Sequence, residues 1–312
     1  MLQILHGTDF PFMKYRRVAY VFSSLIVLAT AAWLVVNHGP REGVDFKGGT
    51  LLQIRTAPAL PADDVRKALD AGGLGGVEIQ QMTGTAKDEY LIRVRSEARD
   101  PFASVQAALA ARNAGVKVEL RRIETVGAKV GGDLRHKAFM AIISSLGVIL
   151  LYVGWRYEFK FALGGVVALL HDVFVTLGCL MFAGREVSLT VVAALLTIAG
   201  YSINDTIVVY DRIREGLRQG ARGSIQTLMN NSINETLGRT ILTGGTVLLS
   251  VGALFFFGGA VLRDFSFAIL IGIAIGTYSS VFVAAPIVLW SSKLRGKSVR
   301  REVLESGSLK QG

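Results

Sequence analysis

The chain has 312 residues, 51% of them apolar and only 19% charged, with a formal net charge of +10. The apolar residues gather into bilayer-length runs and the cations into the segments between them, a pattern that excludes a water-soluble globular enzyme and a nucleic-acid-binding surface. The single cysteine, Cys179, falls inside one of these runs, so no intrachain disulfide is possible.

Six runs can each span a bilayer: Val18–Val36, Ala138–Trp155, Phe161–Ala183, Leu189–Val209, Thr240–Phe257 and Phe265–Trp290. The first follows Lys14, Arg16 and Arg17, as a signal peptide would. Its apolar stretch is too long for one, and Ala29-Thr30-Ala31 lies inside it rather than after it, so an uncleaved anchor is expected. Cations crowd alternate intervening segments: Arg156 and Lys160; Arg212, Arg214, Arg218, Arg222 and Arg239; Lys293, Arg295, Lys297, Arg300 and Arg301. Each of the other two short loops holds one, Arg185 or Arg263. The positive-inside rule then puts both termini in the cytoplasm. Residues 1–17, 210–239 and 291–312 are expected on that side and 37–137 outside; the spans are 18–36, 138–155, 161–183, 189–209, 240–257 and 265–290. The basic segments can also attract anionic lipid.

The outer segment is long enough for one small domain. Leu51–Arg55 alternates as a strand. Pro61-Ala62-Asp63-Asp64 opens a helix through Ala71, with Pro and acids where helix N-termini favour them. Val77–Met82 and Tyr90–Arg95 alternate about a turn-rich 83–89. Pro101 opens a second helix to Asn113, and Val116–Ile123 alternates again. Strand, helix, strand, strand, helix, strand is the order of the ferredoxin-like unit. The fold class is therefore an α-helical bundle of six transmembrane helices with a small external α+β ferredoxin-like domain between helices 1 and 2. The polar stretch Asp211–Gly238 is expected to be partly helical and to lie at the membrane surface.

Asn204-Asp205 interrupts the fourth span. A carboxylate at membrane depth costs about 2.5–3.5 kcal/mol on insertion scales, so chains keep one where it carries protons, binds an ion or pairs with a cation. Asp205 lies about 16 residues from the outer start of its span, roughly 24 Å in at the helical rise. Thr197, Tyr201 and Asp205 recur every four residues, with Ser202 and Asn204 beside them, and a polar stripe holding one carboxylate can form a hydrogen-bonded relay. A structural Asp satisfied by a neighbouring helix is the other reading. Arg239 opens the fifth span at a similar depth. Its long side chain either reaches Asp205 or snorkels to lipid phosphates. Thr240, Thr243 and Thr246 follow it every three residues. His171-Asp172 in the third span either relays protons or locks helix packing. Thr277–Ser280, Gly244-Gly245 and the Gly272/Gly276 spacing are read as packing devices, and Pro286 as a kink.

Two glycine motifs flank the outer domain, Gly43–Thr50, with Gly43, Asp45, Gly48 and Gly49, and Val126–Leu134, with Gly127 and Gly131. Glycines there allow tight turns and close backbone approach. Gly48-Gly49 superficially resembles a phosphate loop, but the Lys-Ser/Thr that follows in a P-loop is missing. The sequence offers no metal-ligand cluster and no nucleophile–base pair, so no metal, no cofactor and no enzymatic activity are expected.

These motifs, with Gly200–Thr206, Tyr210–Arg214, Leu237-Gly238-Arg239-Thr240 and Gly276–Ser280, closely resemble the SecF family of protein-export subunits, part of the SecD/SecF group in the RND superfamily. The likeness runs from the first span to the last. One departure stands out: Ala128 occupies a position where the family usually has Pro. The resemblance implies one half of an RND-type transporter, with SecD supplying the other half, in the bacterial inner membrane. It implies the SecYEG translocon, the unfolded exported polypeptide and YajC as further partners, and protons as the driving species. It places Asp205 and Arg239 in the proton pathway, with Asn204, Tyr201, Asp172 and His171 as further candidates. Two rivals share features with this reading. An efflux-pump half would carry a far larger outer loop with an aromatic pocket, and a passive scaffold would keep Asp205 only as a structural ion pair.

Overall fold

The computed structural model describes residues 8–74, 77–82, 88–94, 100–157, 159–219 and 224–294. The turn at 83–87, Arg222 and the basic tail from Arg295 lie outside them. The chain divides into two compact units, Glu42–Phe139, and Met1–Arg41 with Met140–Gly312.

The α+β unit begins at a single turn, α2 (Val44–Lys47), after α1 (Phe12–Val36). It continues as β1 (Gly49–Ala57), α3 (Ala62–Ala71), β2 (Glu78–Gln81), β3 (Glu89–Val94), α4 (Pro101–Arg112) and β4 (Lys117–Val126). All pairings are antiparallel in the order β2-β3-β1-β4, so the expected ferredoxin-like unit forms. Alternation does the sorting. Thr50, Leu52, Ile54 and Thr56 of β1 and Tyr90, Ile92 and Val94 of β3 are buried against Val65, Leu69, Val105 and Leu109 of the two helices. Asp100 caps α4 through the Ala103 amide at 2.9 Å, with Pro101 in the first position. Leu52 is fully buried. Leu52→Ala is expected to destabilise this unit by about 2–5 kcal/mol. Pulse proteolysis of the purified full chain across urea concentrations reads this, and a shift below about 1 kcal/mol would contradict the packing.

The two glycine motifs meet in this unit. Gly48 and Gly49 take φ of +74° and +117°, which turns the chain from α2 into β1. Gly131, in the first turns of α5 (Ala128–Arg156), presses on the same corner, where a Cβ would come within 2.7 Å of Phe46 O and 3.2 Å of Gly48 N. Gly127 accepts from the Gly131 amide at 3.0 Å, Gly43 caps α2, and Asp45 lies in its first turn. The glycines hold a backbone junction, as the close-approach reading expects.

The helical unit completes the chain with α6 (Phe159–Phe182), α7 (Leu189–Arg218), α8 (Ile225–Phe257), α9 (Gly259–Ser279), a π-helical turn (Ser280–Ala284) and α10 (Ala285–Leu294). Among the described residues six helices are long and apolar enough to cross a bilayer: Phe12–Val36, Lys129–Arg156, Phe161–Phe182, Leu189–Arg218, Ile225–Phe257 and Leu262–Trp290. Ser188 and Ser224 cap α7 and α8 through the amides of Val191 and Thr227. α9 packs on α6, α7 and α8, while α1 packs on α6 and the π turn. Alternating steps of four and three residues turn Phe161, Gly165, Ala168 and Asp172 of α6, and Val191, Leu195, Ile198, Ser202, Asp205 and Val209 of α7, into the interior. The outer faces of α1, α5 and α8 carry exposed Leu25, Leu151, Leu249 and Phe257, as lipid- or partner-facing helices do.

The stretch 211–238, expected to be partly helical, takes the form of two helix ends. Its described residues run through the end of α7 and the start of α8, which Arg212 and Glu235 bridge. Arg212 pairs with Glu215 and Glu235, and Asp211 accepts from the Tyr157 hydroxyl at 2.8 Å, so these charged residues have partners where the helices continue past the apolar runs. Asn234 accepts from the Phe10 amide and donates to its carbonyl, both at 3.0 Å, and Asn230 accepts from Met13 N at 2.9 Å, tying the start of α1 to α8.

Candidate functional site

Among the described residues two carboxylates lie buried inside the helical unit, one on α6 and one on α7. Asp172 is fully buried and Asp205 nearly so. Asp205 Oδ1 accepts from Thr240 Oγ1 of α8 at 2.6 Å, and Oδ2 accepts from Ser280 Oγ of the π turn at 3.0 Å. Asp172 Oδ2 accepts from Ser202 Oγ of α7 at 2.5 Å and from Ser279 Oγ of α9 at 2.7 Å, while its Oδ1 lies 3.0 Å from His171 Nδ1. The His171 ring sits 6.3 Å from that of Tyr278, whose hydroxyl reaches Ser23 Oγ and Ala19 O of α1 at 3.0 and 2.9 Å. A polar path thus runs from α8 through α7, α9 and α6 to α1.

Close helix approach makes this geometry possible. A Cβ on Gly276 would come within 3.1 Å of Ser202 Cβ, and one on Gly272 within 2.3 Å of Ile198 Cδ1. These α9 glycines are packing devices, as expected from their spacing. A Cβ on Gly244 would lie 3.6 Å from the Tyr201 hydroxyl and 3.7 Å from Thr277 Oγ1, whereas one on Gly245 would meet nothing. The serines beside Gly276 do more than pack, since each hydrogen-bonds a carboxylate. Pro286 explains the turn that presents them. It brings no N–H and crowds the carbonyl four residues back, and the helix widens to the π register immediately before it, with Ala285 N reaching Ser280 O.

The structure brings together Asp205, Asp172, His171, Ser202 and Thr240 from the residues singled out in the sequence. It does not bring the others to the carboxylates. Thr197 is exposed and donates back to Ala193 O at 2.8 Å. Two four-residue steps carry it about 80° around the helix from Asp205, so the polar stripe does not run as one face. Tyr201 is half-buried and Asn204 exposed. Arg239 is exposed on α8, and no Lys, Arg or His nitrogen lies within ion-pairing reach of Asp205 among the described residues. Ser279 and Ser280, expected from the sequence to be packing devices, are carboxylate partners whose role sequence reasoning missed. Their signal was two hydroxyls just ahead of a proline in an apolar helix.

Chemically, Asp205 is a carboxylate held, among the described residues, by hydroxyls alone. A hydroxyl donates to the charged form and accepts from the protonated one, so the site can hold either state without moving a cation. Among the described residues no group of His, Cys, Asp and Glu is placed to hold a metal ion.

Comparison with known proteins agrees with this architecture. The family described as protein export membrane protein SecD/SecF, C-terminal, matches residues 106–294, and the SecD/SecF GG motif matches residues 33–59. The protein translocase subunit SecF of Vibrio alginolyticus is 42% identical over 93% of this chain and 92% of its own. That of Desulfurispirillum indicum is 43% identical over 90% of this chain and 91% of its own. The crystal structure of SecDF from Thermus thermophilus, a translocon-associated membrane protein, superposes with a TM-score of 0.83 at 36% identity, covering 92% of this chain. The present chain spans 39% of that SecDF chain.

Proposed function

Since the chain belongs to the SecD/SecF family of protein-export membrane proteins and is a multi-pass, SecF-type protein translocase subunit, we propose that the proton motive force drives its work in Sec-dependent export. In this reading it is an accessory subunit, not an enzyme, and sits in the bacterial cytoplasmic membrane with both termini inside. It pairs with SecD, in line with its likeness to part of a SecDF chain. It acts beside the SecYEG translocon, with YajC as a further partner, on the unfolded chain emerging outside.

The observation that supports this most is Asp205, buried among membrane helices with hydroxyls as its only partners among the described residues. A carboxyl in such a place can take up and release a proton between two well-satisfied states. One charge crossing 100 mV supplies about 2.3 kcal/mol. A tenfold population shift needs about 1.4 kcal/mol, so the drive suffices to bias a two-state helix arrangement. Asp205 and Asp172, with His171, form the proton path, and Tyr201, Asn204 and Arg239 line its partner-facing side.

The test is pulse-chase export of a secreted precursor in cells with and without the chain, across a protonophore titration. The rate difference between the two strains is expected to vanish as the gradient collapses. A difference that survives full collapse would leave a passive scaffold in place of a proton-driven subunit.

A further inference from the structure

We propose that Ser279 and Ser280 tie Asp172 and Asp205 into one hydrogen-bonded unit, so that a change at one carboxyl is felt at the other. This rests on the reading of Asp205 as a proton-carrying group and adds two positioning residues to it. Consecutive residues on a helix point about 100° apart. That is why one serine can meet Asp172 on α6 while its neighbour meets Asp205 on α7.

Each hydroxyl has one proton and two acceptors in reach. Ser279 Oγ lies 2.7 Å from Asp172 Oδ2 and 3.1 Å from Gly276 O. Ser280 Oγ lies 3.0 Å from Asp205 Oδ2 and 2.9 Å from Thr277 O. When its carboxylate becomes protonated, the hydroxyl can turn its own proton onto the carbonyl three residues back and accept from the acid. The two serines share a peptide bond where the helix enters its π turn, and that turn packs on α1, α6 and α7. Π turns of this kind recur at functional sites. Ser202 closes the loop: it sits three residues before Asp205 on α7 and donates to Asp172. Ionisable groups on the elements around the unit include His171 on α6, Tyr201 and Tyr210 on α7, Arg239 on α8, Tyr278 on α9 and Tyr20 on α1. Only His171 among these lies within hydrogen-bonding distance of either carboxylate.

Membranes holding the assembled full-length complex would be treated with dicyclohexylcarbodiimide, which modifies buried carboxylic acids, and labelling of Asp205 followed by peptide mass spectrometry. Asp172→Asn is expected to change the Asp205 labelling rate about threefold or more, the scale of coupling between residues in one network. In a Ser279→Ala/Ser280→Ala background the same substitution is expected to leave the rate nearly unchanged. Ser266→Ala, a buried hydroxyl on α9 without a carboxylate partner, serves as the control with no effect. An unchanged Asp205 rate in Asp172→Asn would overturn the proposal. So would a full effect that persists without the serines, which would mean direct interaction through space. Should the double-serine variant fail to assemble, Ser279→Ala alone decides. Of the two carboxylates Ser279 meets Asp172 and not Asp205, yet its loss is expected to alter Asp205 labelling, and an unaltered rate refutes the coupling. The readout does not involve export, so intact coupling alongside gradient-independent export would remove the proton-driven reading and leave this one standing.

Discussion

Cells whose only copy carries Asp205→Asn are expected to export a secreted precursor no faster than cells lacking the chain. The amide is nearly the same size as the carboxylate, so the packing of α7 against α8 and the π turn is retained. Its oxygen still accepts from Thr240, and its nitrogen donates to Ser280, whose hydroxyl can accept instead. What it cannot do is gain or lose a proton near neutral pH. A full loss of the chain's contribution with normal assembly therefore isolates titration from structure. Asp205→Glu keeps the titrating group but adds a methylene to a filled interior, an overpacking that costs about 1–3 kcal/mol. Partial export is expected from it, with the order wild type, Glu, Asn. Pulse-chase of the precursor, after confirming that the complex assembles, checks the series. Normal export by the Asn variant would show that Asp205 is a packing group, and the scaffold reading would replace the proton-driven one.

The same site shows what a sequence can and cannot reveal. Asp205 and Asp172 were legible because a carboxylate in an apolar run is costly enough to need a reason. The spans were legible from length and apolarity, and the ferredoxin-like domain from strict alternation and from helix starts marked by proline and acids. The partners of the carboxylates were legible only in part: His171, Ser202 and Thr240 stood out, but which carboxylate Ser202 or Thr240 meets did not. Thr197, Tyr201 and Asp205 looked like a stripe because four-residue spacing is close to a helical turn, yet its drift carries Thr197 out of the interior. The buried stripe follows steps of four and three, and it puts Ser202, not Tyr201, beside a carboxylate. Ser279 and Ser280 were hidden for another reason. A hydroxyl inside a helix ordinarily bonds back to its own helix, and both do so here as well as reaching the carboxylates. Only the local widening before Pro286, together with the approach of α7 to Gly276, turns them into ligands. Arg239 is the converse case. Sequence left it between an ion pair and lipid, and its place on an exposed face of α8 leaves its charge available to whatever covers that face.

Gly178→Ala is expected to be among the most damaging single-methyl changes in the helical unit, and Thr30→Gly to relieve it. A Cβ on Gly178 of α6 would come within 2.0 Å of Thr30 Oγ1, 2.9 Å of its Cγ2 and 3.0 Å of its Cβ. Thr30 of α1 is fully buried, and its hydroxyl has no hydrogen-bond partner. Rotating the threonine side chain moves Oγ1 and Cγ2 but leaves Cβ in place, so α1 must shift away from α6. In a membrane little hydrophobic force holds two helices together, and close packing at small residues supplies much of their association. The expected loss is about 1–3 kcal/mol, the usual cost of forcing a methyl into a filled interior. Thr30→Gly removes all three obstructing atoms, at a helix-propensity cost of only about 0.3 kcal/mol, since threonine is itself a weak helix former. The double variant should therefore be more stable than Gly178→Ala alone, with a coupling of about 0.5–3 kcal/mol between the two positions. Thermal unfolding of the four purified proteins in one detergent measures it. Strict additivity would mean that α1 and α6 do not meet at this notch in the folded protein, and that the start of α1 is held chiefly by Asn230 and Asn234.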